Sequence, residues 1–317
     1  VKCQSALAEA EVEYEEKESI AVDVKFYFKS HDNLLEIFKI KEIKGKTSVV
    51  IWTTTPWTLP SNKSVAIHKD IEYILIADSD ENYVIANELF DKFNERIKGE
   101  FTKISSCLGS DLLGLSLKHP FLDNIIEIID SDHVTTDSGT GCVHIAPAHG
   151  TDDFLLGKKF GLEILNPILS NGVFSGEPNS LNGTHVYKLD DPIIELLINN
   201  NTLLNKNKFR HSYPHCWRHK TPLIYRATPQ WFISMSKNNL LSKVIKKTSD
   251  VNWIPLWGEA RINGMLEGRP DWCISRQRKW GVPITLLINK KTGEPHSNTS
   301  IIFSRICKLV EEYGIEK

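Results

Sequence analysis

Short runs of alternating hydrophobic and polar residues dominate the stretch from about residue 20 to residue 150. The clearest run extends from Val22 to Phe28, where apolar side chains occupy every second position. A period of two is typical of strands with one buried face. Asn87 is expected to cap a short helix that reaches about Arg96. Further alternating or apolar runs predict strands at 48–52, 71–77, 83–85 and 125–129.

Three later segments have helical spacing. The first covers 153–160 and is expected to end at Gly161. The second is expected to begin at Asp191-Pro192. The third is expected to have Ser300 as its N-cap and to end at Gly314. The polar run 199–202 ends the second helix, and six of the eight tryptophans lie beyond residue 210. This change in composition predicts a domain boundary near 205–210, in agreement with the two domains that a chain of 317 residues suggests.

The composition is that of an ordinary folded protein, since 41% hydrophobic and 25% charged residues exclude a disordered or fibrous chain. A net charge of −2 excludes a uniformly basic nucleic-acid-binding protein but allows a local basic patch. No run approaches ~20 apolar residues, so no membrane span is expected. Six scattered cysteines favour a reducing, cytoplasmic location. The start at Val1, without Met or a signal sequence, suggests a piece of a longer protein.

The first candidate site is the stretch 52–62, which reads WTTTPWTLPSN. Thr53, Thr54 and Thr55 leave the end of an apolar strand and run into Pro56, which lacks an N–H and ends the strand pairing. Each hydroxyl can donate one hydrogen bond and accept two, which suits binding of a ribose, a carbonyl or a water. The alternative is that threonine is present because it favours β-strands.

The second candidate is the stretch 137–154, which reads DSGTGCVHIAPAHGTDDF. Gly139 and Gly141 allow the backbone to approach a ligand closely. Four side chains of metal-binding type follow within ten residues, namely His144, His149, Asp152 and Asp153. They are compatible with a zinc site or with a metal-free site for acid–base chemistry and cation binding. The structural alternative is a buried histidine and an aspartate that caps a helix.

A third candidate, the stretch 211–219, contains Cys216 and His219 at the spacing of half a zinc site. Pro214 argues against a helix there, and a second half-site is missing nearby. The sequence contains no Gly-x-Ser-x-Gly elbow and no phosphate-binding loop of the Walker type. The α/β-hydrolases and the Walker-type nucleotidases are therefore excluded.

Three stretches together resemble the isoleucyl-tRNA synthetase family: WTTTPWTLPSN at 52–62, GTGCVHIAPAHGTDDF at 139–154 and DWCISRQRKWG at 271–281. HCWRHKTPLIYRATPQWF at 215–232 adds to the resemblance, which covers nearly the whole chain. The related valyl and leucyl enzymes carry Arg where this sequence has Thr55, so the first stretch is the most specific. ATPQWFISM and WCISRQR resemble the bacterial members.

The resemblance implies the insertion, connective peptide 1, that splits a class I Rossmann catalytic domain and carries an editing site. The implied fold is mixed α+β, with a closed or partly closed β-rich barrel, surrounding helices and a partial α/β segment of the catalytic domain. The implied segments are 1–19 as a connection, 20–208 as the editing domain, 209–282 as a return into the catalytic domain and 283–317 as the start of a smaller insertion.

The implied reaction is hydrolysis of the ester in valyl-tRNA(Ile), a tRNA that carries the wrong amino acid. The implied partners are the 3′ acceptor end of tRNA(Ile), valine and isoleucine esters, and the rest of the synthetase in cis. ATP and Mg²⁺ are expected only in the full-length enzyme, because the HIGH-like and KMSKS-like signatures are missing here. No aminoacylation is therefore expected from this chain alone, and editing itself is expected to need no cofactor.

Residue roles follow from the same resemblance. Thr53, Thr54 and Thr55 are expected to position the ester carbonyl, the terminal ribose and the attacking water. His144 matches the residue that limits the size of the amino-acid pocket, and Asp153 matches the carboxylate that binds the substrate α-ammonium. The remaining expected substrate contacts are Asn62, Gly139, Thr140 and Gly141. Asp152 is expected to cap the helix that follows.

Some relatives hold zinc with one cysteine pair before the insertion and another after it. Cys3 and the pair Cys216–His219 match only part of that set, so a complete Zn²⁺ site is not expected. Two other functions stay open. A metal-dependent hydrolase would use His144, His149, Asp152 and Asp153, and a binding module without chemistry would only dock the tRNA acceptor end.

Overall fold

The computed structural model describes residues 5–7, 11–269, 271–277 and 281–315. The chain forms two compact units, Val1–Ala227 and Thr228–Lys317. The first unit holds most of the strands, and the second is mainly helical.

The strands of the first unit are β1 (Val12–Tyr27), β2 (Lys46–Thr53), β3 (Ser64–Ile67), β4 (Glu72–Ala77), β5 (Glu81–Ala86), β6 (Thr102–Leu108), β7 (Ser116–Lys118), β8 (Ile125–Asp130), β9 (Val143–Ile145) and β10 (Leu203–Cys216). Its helices are α1 (Asp32–Ile37), α2 (Phe90–Ile97), α3 (Gly109–Leu112), α4 (Thr151–Phe160) and α5 (Asp190–Asn199). The second unit contains β11 (Phe232–Ile233), β12 (Trp272–Cys273), α6 (Leu240–Thr248), α7 (Trp257–Glu267) and α8 (Thr299–Tyr313). Short 3-10 turns occupy Pro56–Ser61, Asn87–Leu89, Asn179–Leu181, Val186–Lys188 and Lys237–Asn239.

Two sheets build the first unit. The larger has the order β10-β1-β2-β5-β4-β6, in which only β2 and β5 run parallel. The smaller has the order β7-β8-β3-β9, in which only β3 and β8 run parallel. An isolated antiparallel bridge between Phe28 and Leu117 connects them at one edge. The described strands therefore form open sheets, and the predicted barrel is not confirmed.

The main hydrophobic core lies between these two sheets. On β2, Val49 and Ile51 belong to this core, together with Val65 and Ile128 of the smaller sheet. Val50 points the other way and packs with residues of α2. The two faces of β2 therefore contact different clusters, one between the sheets and one at α2, up to the strand end where the first candidate stretch begins. A third cluster packs α4 against the outer face of the smaller sheet.

The predicted strands are confirmed, and β1 is longer than the alternation indicates. It begins at Val12, in a polar stretch, because it pairs antiparallel with β10 along its length. The helix stops at Gly161 and Gly314 are confirmed. The predicted capping by Asn87 is wrong, since its amide binds Glu72 and α2 begins only after Leu89.

The Ser300 cap is also wrong, because α8 already includes Ser300 and follows Asn298. The predicted boundary near 205–210 lies inside β10, and the two compact units divide after Ala227. The four-segment division and the Rossmann segment remain predictions. In the part of the chain that the structure describes, no helix is long and apolar enough to cross a bilayer.

The second unit is held together by local contacts. β11 and β12 form a two-stranded antiparallel ribbon. The backbone N–H of Trp231 donates to Ser275 Oγ at 2.9 Å. Thr248 at the end of α6 donates its hydroxyl to Asn263 of α7 at 2.6 Å, and the indole of Trp253 donates to the Thr248 carbonyl. Many apolar side chains of this unit are exposed.

Candidate functional site

The three predicted threonines lie where β2 ends. Thr53 is its last residue, and Pro56 opens the 3-10 turn that follows. The Thr53 hydroxyl accepts a hydrogen bond from the Thr55 backbone N–H at 3.1 Å, and the two hydroxyls are 3.2 Å apart. Thr54 is half-buried, and its hydroxyl has no hydrogen-bond partner among the described residues. Thr54 therefore offers the hydroxyl that a ligand can use without breaking an internal bond.

The imidazole of His144 lies next to these threonines because β9 pairs with β3. Its Nε2 is 2.9 Å from Thr58 Oγ1, and its Nδ1 is 3.3 Å from Asn62 Nδ2. Asn62 also donates to the Ser64 carbonyl, which fixes the orientation of the amide. Nδ1 of His144 is therefore the acceptor, and Nε2–H donates to Thr58, whose own proton goes to the Thr55 carbonyl at 2.8 Å.

Burial keeps this ring neutral. His144 is 8% exposed, and desolvation lowers its pKa to about 3, with smaller contributions from His149 and His119. A neutral ring whose single lone pair already accepts a hydrogen bond is a poor proton acceptor near neutral pH. The geometry thus favours a shape-defining role for His144 over a role as general base.

Asp153 lies in the first turn of α4, close in the chain to β9. Its Oδ2 accepts a hydrogen bond from the Ala146 backbone N–H at 2.8 Å. Burial raises the pKa of the Asp153 carboxyl, and this hydrogen bond and His133 partly offset the rise. Asp152 is exposed and does not cap the helix as expected, since Gly150 holds the N-cap position and no side chain bonds there.

The glycine loop, residues 139–141, is pinned against the larger sheet. Gly141 has φ +74°, and a Cβ at this position would lie 2.4 Å from the Ala86 Cβ. The Tyr73 hydroxyl donates to the Gly141 carbonyl at 2.6 Å, and the Ala86 N–H donates to the Thr140 carbonyl at 2.9 Å. Arg96 donates to the Gly139 carbonyl at 3.0 Å. Only glycine fits this close approach with a left-handed backbone.

His149 belongs to a separate contact set. Its Nδ1 donates to the Tyr225 carbonyl at 3.0 Å, so its Nε2 accepts from the Ser61 hydroxyl at 3.0 Å. Its ring packs edge-on against Trp57, and burial lowers its pKa to about 4. These contacts explain His149 as a structural residue beneath the 3-10 turn.

A model of the class I tRNA synthetases, described as covering the I, L, M and V members, matches residues 1–315. The chain belongs to this family. It is 49% identical to the isoleucine–tRNA ligase of Vibrio parahaemolyticus over 99% of its own length and 34% of that protein. Its identity to the isoleucine–tRNA ligase of Photobacterium profundum is 48%, with the same coverage. The chain thus spans 34% of the length of these relatives.

Among solved structures, the editing domain of the P. knowlesi cytosolic leucyl-tRNA synthetase is similar with a TM-score of 0.47 and 12% identity. The match covers 65% of this chain and 99% of that domain.

The candidate site contains one residue to which sequence reasoning gave no role. Thr58 connects His144 to the threonines, because its hydroxyl contacts the imidazole and lies 3.5 Å from Thr55 Oγ1. The signal that could have found it is the spacing of three residues from Thr55 across a proline-initiated turn, which brings the two side chains together. Hydrogen bonds thus join five side chains, namely Thr53, Thr55, Thr58, Asn62 and His144.

The metal-site alternative finds no support in the donor geometry. Both ring nitrogens of His144 and of His149 are already engaged in hydrogen bonds. Across the described ranges, no group of three or more His, Cys, Asp or Glu side chains has an arrangement that could hold a metal ion. Cys216 Sγ lies 3.5 Å from His219 Nδ1, and Cys3 is outside the described residues. The absence of a complete zinc set therefore stays a prediction.

Proposed function

We propose that the first unit hydrolyses the aminoacyl ester of valyl-tRNA(Ile), as the editing part of an isoleucine–tRNA ligase. The observation that carries the proposal is the cluster of threonine hydroxyls at the end of β2, bounded by the neutral, buried ring of His144. The membership of the class I tRNA synthetase family and the 49% identity to isoleucine–tRNA ligases support it.

The need for such a site has a physical basis. Valine and isoleucine differ by one methylene, and isoleucyl-tRNA synthetases are themselves the known case in which one binding step separates them only about 150-fold. A second pocket that admits valine and excludes the larger side chain multiplies the fidelity. His144 suits the wall of such a pocket, because Thr58 and Asn62 hold the ring from both nitrogens.

The other site residues fit the remaining parts of the substrate. The Asp153 carboxylate binds the α-ammonium in a charge-assisted hydrogen bond. The Thr54 hydroxyl, which has no partner among the described residues, orients the attacking water or the ester carbonyl. Water oxygen forms a bond to the ester carbon, the bond from that carbon to the ribose oxygen breaks, and a proton passes to the ribose oxygen. Valine and free tRNA are the products.

The wider assignments belong to the same proposal. The 3′ acceptor end of tRNA(Ile) is the partner, and the glycine loop 139–141 meets its terminal adenosine. ATP and Mg²⁺ serve aminoacylation in the longer protein. That protein is located in the cytoplasm. The segments 209–282 and 283–317 are a return into a Rossmann catalytic domain and the start of a smaller insertion.

Deacylation of valyl-tRNA(Ile) by the polypeptide that contains this chain tests the proposal. Asp153→Ala should reduce the rate by at least about tenfold, since loss of a hydrogen bond to a charged group costs ~1.5–3 kcal/mol. Asp152→Ala is the matched control, because this carboxylate is exposed in the same helical turn. Equal rates for Asp153→Ala and the unchanged protein would contradict the proposal, as would loss of the activity on metal chelation.

A further inference from the structure

A groove lies on the face of β2 opposite to the hydrophobic core between the sheets. We call it the Trp52 groove, and its principal residues are Trp52, Lys92, Arg96, Asp137, Gly139, Lys208 and Phe209. Its volume is about 250 Å³. Trp52 directly precedes Thr53 in β2, and Gly139 opens the glycine loop, so the groove shares two backbone segments with the proposed editing site.

Two aromatic rings give the groove an apolar surface. Trp52 and Phe209 meet edge to face, with ring centroids 5.1 Å apart. Phe209 is 40% exposed, so its ring remains accessible to a stacking partner. The indole nitrogen of Trp52 is shielded from solvent and has no hydrogen-bond partner in the described part of the chain. An acceptor brought in by a ligand would satisfy this donor.

Three cationic side chains and one carboxylate, that of the exposed Asp137, surround the rings. Lys92 is exposed and donates to the Asp137 carbonyl at 3.0 Å. Lys208 pairs with Glu18, but both side chains are more than half exposed, so solvent screens this pair and a phosphate can replace it. Arg96 is different, because the buried Asp23 binds it and its charge is balanced. Lys92 and Lys208 are thus the cations available to an anionic ligand.

We infer that the Trp52 groove binds the single-stranded RNA segment that precedes the terminal nucleoside of the tRNA acceptor end. The inference rests on the proposed function, in which the ester lies at the threonines and the terminal adenosine meets the glycine loop, because the preceding nucleotides then lie beside the groove that Gly139 lines. Aromatic faces stack on bases of any sequence and lysines bind the phosphates between them, which is the usual arrangement for single strands. An acidic peptide would form ion pairs with the lysines but would not stack on the aromatic rings.

A comparison of two substrates tests this contact. Val-tRNA(Ile) contains the preceding nucleotides, whereas the valyl ester of adenosine contains only the terminal nucleoside. Phe209→Ala should lower the ratio of kcat/KM for the tRNA to kcat/KM for the nucleoside ester by about tenfold, within the range known for loss of one base–aromatic stack. Lys92→Ala should reduce the dependence of log KM for the tRNA on log salt by ~0.7, as expected for one phosphate contact on a single strand.

Phe160→Ala is the matched control. This ring is 39% exposed and lies beside the Lys159 ammonium, but it belongs to α4, which packs on the smaller sheet, whereas β2 and β10 belong to the larger sheet. Its removal should leave the substrate ratio unchanged. An unchanged ratio in Phe209→Ala, or an equal fall in Phe160→Ala, would overturn the inference.

Direct binding separates failure of the groove from failure of the proposed function. Fluorescence anisotropy of a short labelled single-stranded RNA ending in CCA should show about tenfold weaker binding to Phe209→Ala than to the unchanged protein. Equal affinity would overturn the groove assignment even if editing is observed. Weakened RNA binding without hydrolysis of either ester would support the groove and contradict the editing function. Displacement of the RNA by a poly-glutamate peptide at matched charge would also overturn the assignment.

Discussion

Removal of the His144 imidazole separates a steric role from a chemical one. His144→Ala deletes a ring that donates to Thr58 and accepts from Asn62. Because burial lowers the pKa of His144 to about 3, the ring is neutral at physiological pH and its lone pair is occupied. Its loss should therefore enlarge the amino-acid pocket without removing a proton acceptor.

The size of the effect follows from packing. Forcing an extra methylene against a packed wall costs ~1–3 kcal/mol, which corresponds to about 5- to 150-fold in rate. His144→Ala should increase kcat/KM for deacylation of correctly charged Ile-tRNA(Ile) by a factor in this range and change the value for Val-tRNA(Ile) much less. The variant should also lose ~1–3 kcal/mol of stability, because Thr58 and Asn62 each lose a buried hydrogen-bond partner.

The assay is release of labelled amino acid from both charged tRNAs, with thermal unfolding as the check on folding. His149→Ala is the control, since it removes an equally buried imidazole that bonds Ser61 and the Tyr225 carbonyl. It should lower stability without changing the ratio of the two rates. Parallel loss of both activities in His144→Ala would refute the steric reasoning. The same parallel loss in His149→Ala would favour the metal or acid–base alternative.

Three further predictions concern the turn, the loop and pH. Thr54→Ala should reduce deacylation about tenfold but change the unfolding free energy by less than ~0.5 kcal/mol, and a collapse of thermal stability would instead assign Thr54 a structural role. Gly141→Ala should lose more than ~2 kcal/mol in urea unfolding because its Cβ meets Ala86, whereas Gly161→Ala, with φ +66° and open space, should lose only ~1–2 kcal/mol. Three buried histidines have pKa values lowered to about 3 or 4, namely His119, His144 and His149. They titrate near 6.5 when unfolded, so the unfolded state binds more protons as pH falls. The unfolding free energy should drop by about 3 kcal/mol from pH 7 to 5.5, after an offset of ~0.8 from Asp190, whose pKa is raised to about 6. The measurement is urea unfolding at several pH values. An unfolding free energy that stays constant or rises as the pH falls from 7 to 5.5 would contradict the prediction that these histidines are buried and neutral.

Much of the first unit follows from local rules. Alternation predicts the strands because one face of each is buried, and this pattern is independent of the partner strand. The threonines before Pro56 are correctly predicted at a strand end, since proline removes the donor that the next ladder bond needs. The end of α4 at Gly161 is also predictable locally, because the left-handed C-cap conformation depends on one residue.

Local rules fail where a neighbour competes. Residue type predicts Asn87 and Ser300 as caps. The Asn87 side chain instead bonds Glu72 on β4, and α8 begins one residue before Ser300. The predicted barrel depends on how the edges of two sheets meet. In the described strands, a single bridge between Phe28 and Leu117 connects those edges.

The sequence by itself determined which residues carry the candidate chemistry: hydroxyls at a strand end, glycines that permit a close approach, and the pair His144 and Asp153. Only the tertiary structure decided what state these groups are in. His144 lies 86 residues from Thr58 in the chain, and pairing of β9 with β3 brings them within 2.9 Å. The Asn62 amide sets the tautomer of the ring, and exclusion of water lowers its pKa. Desolvation depends on which distant segments pack together, and a pattern of neighbouring residues does not contain that information.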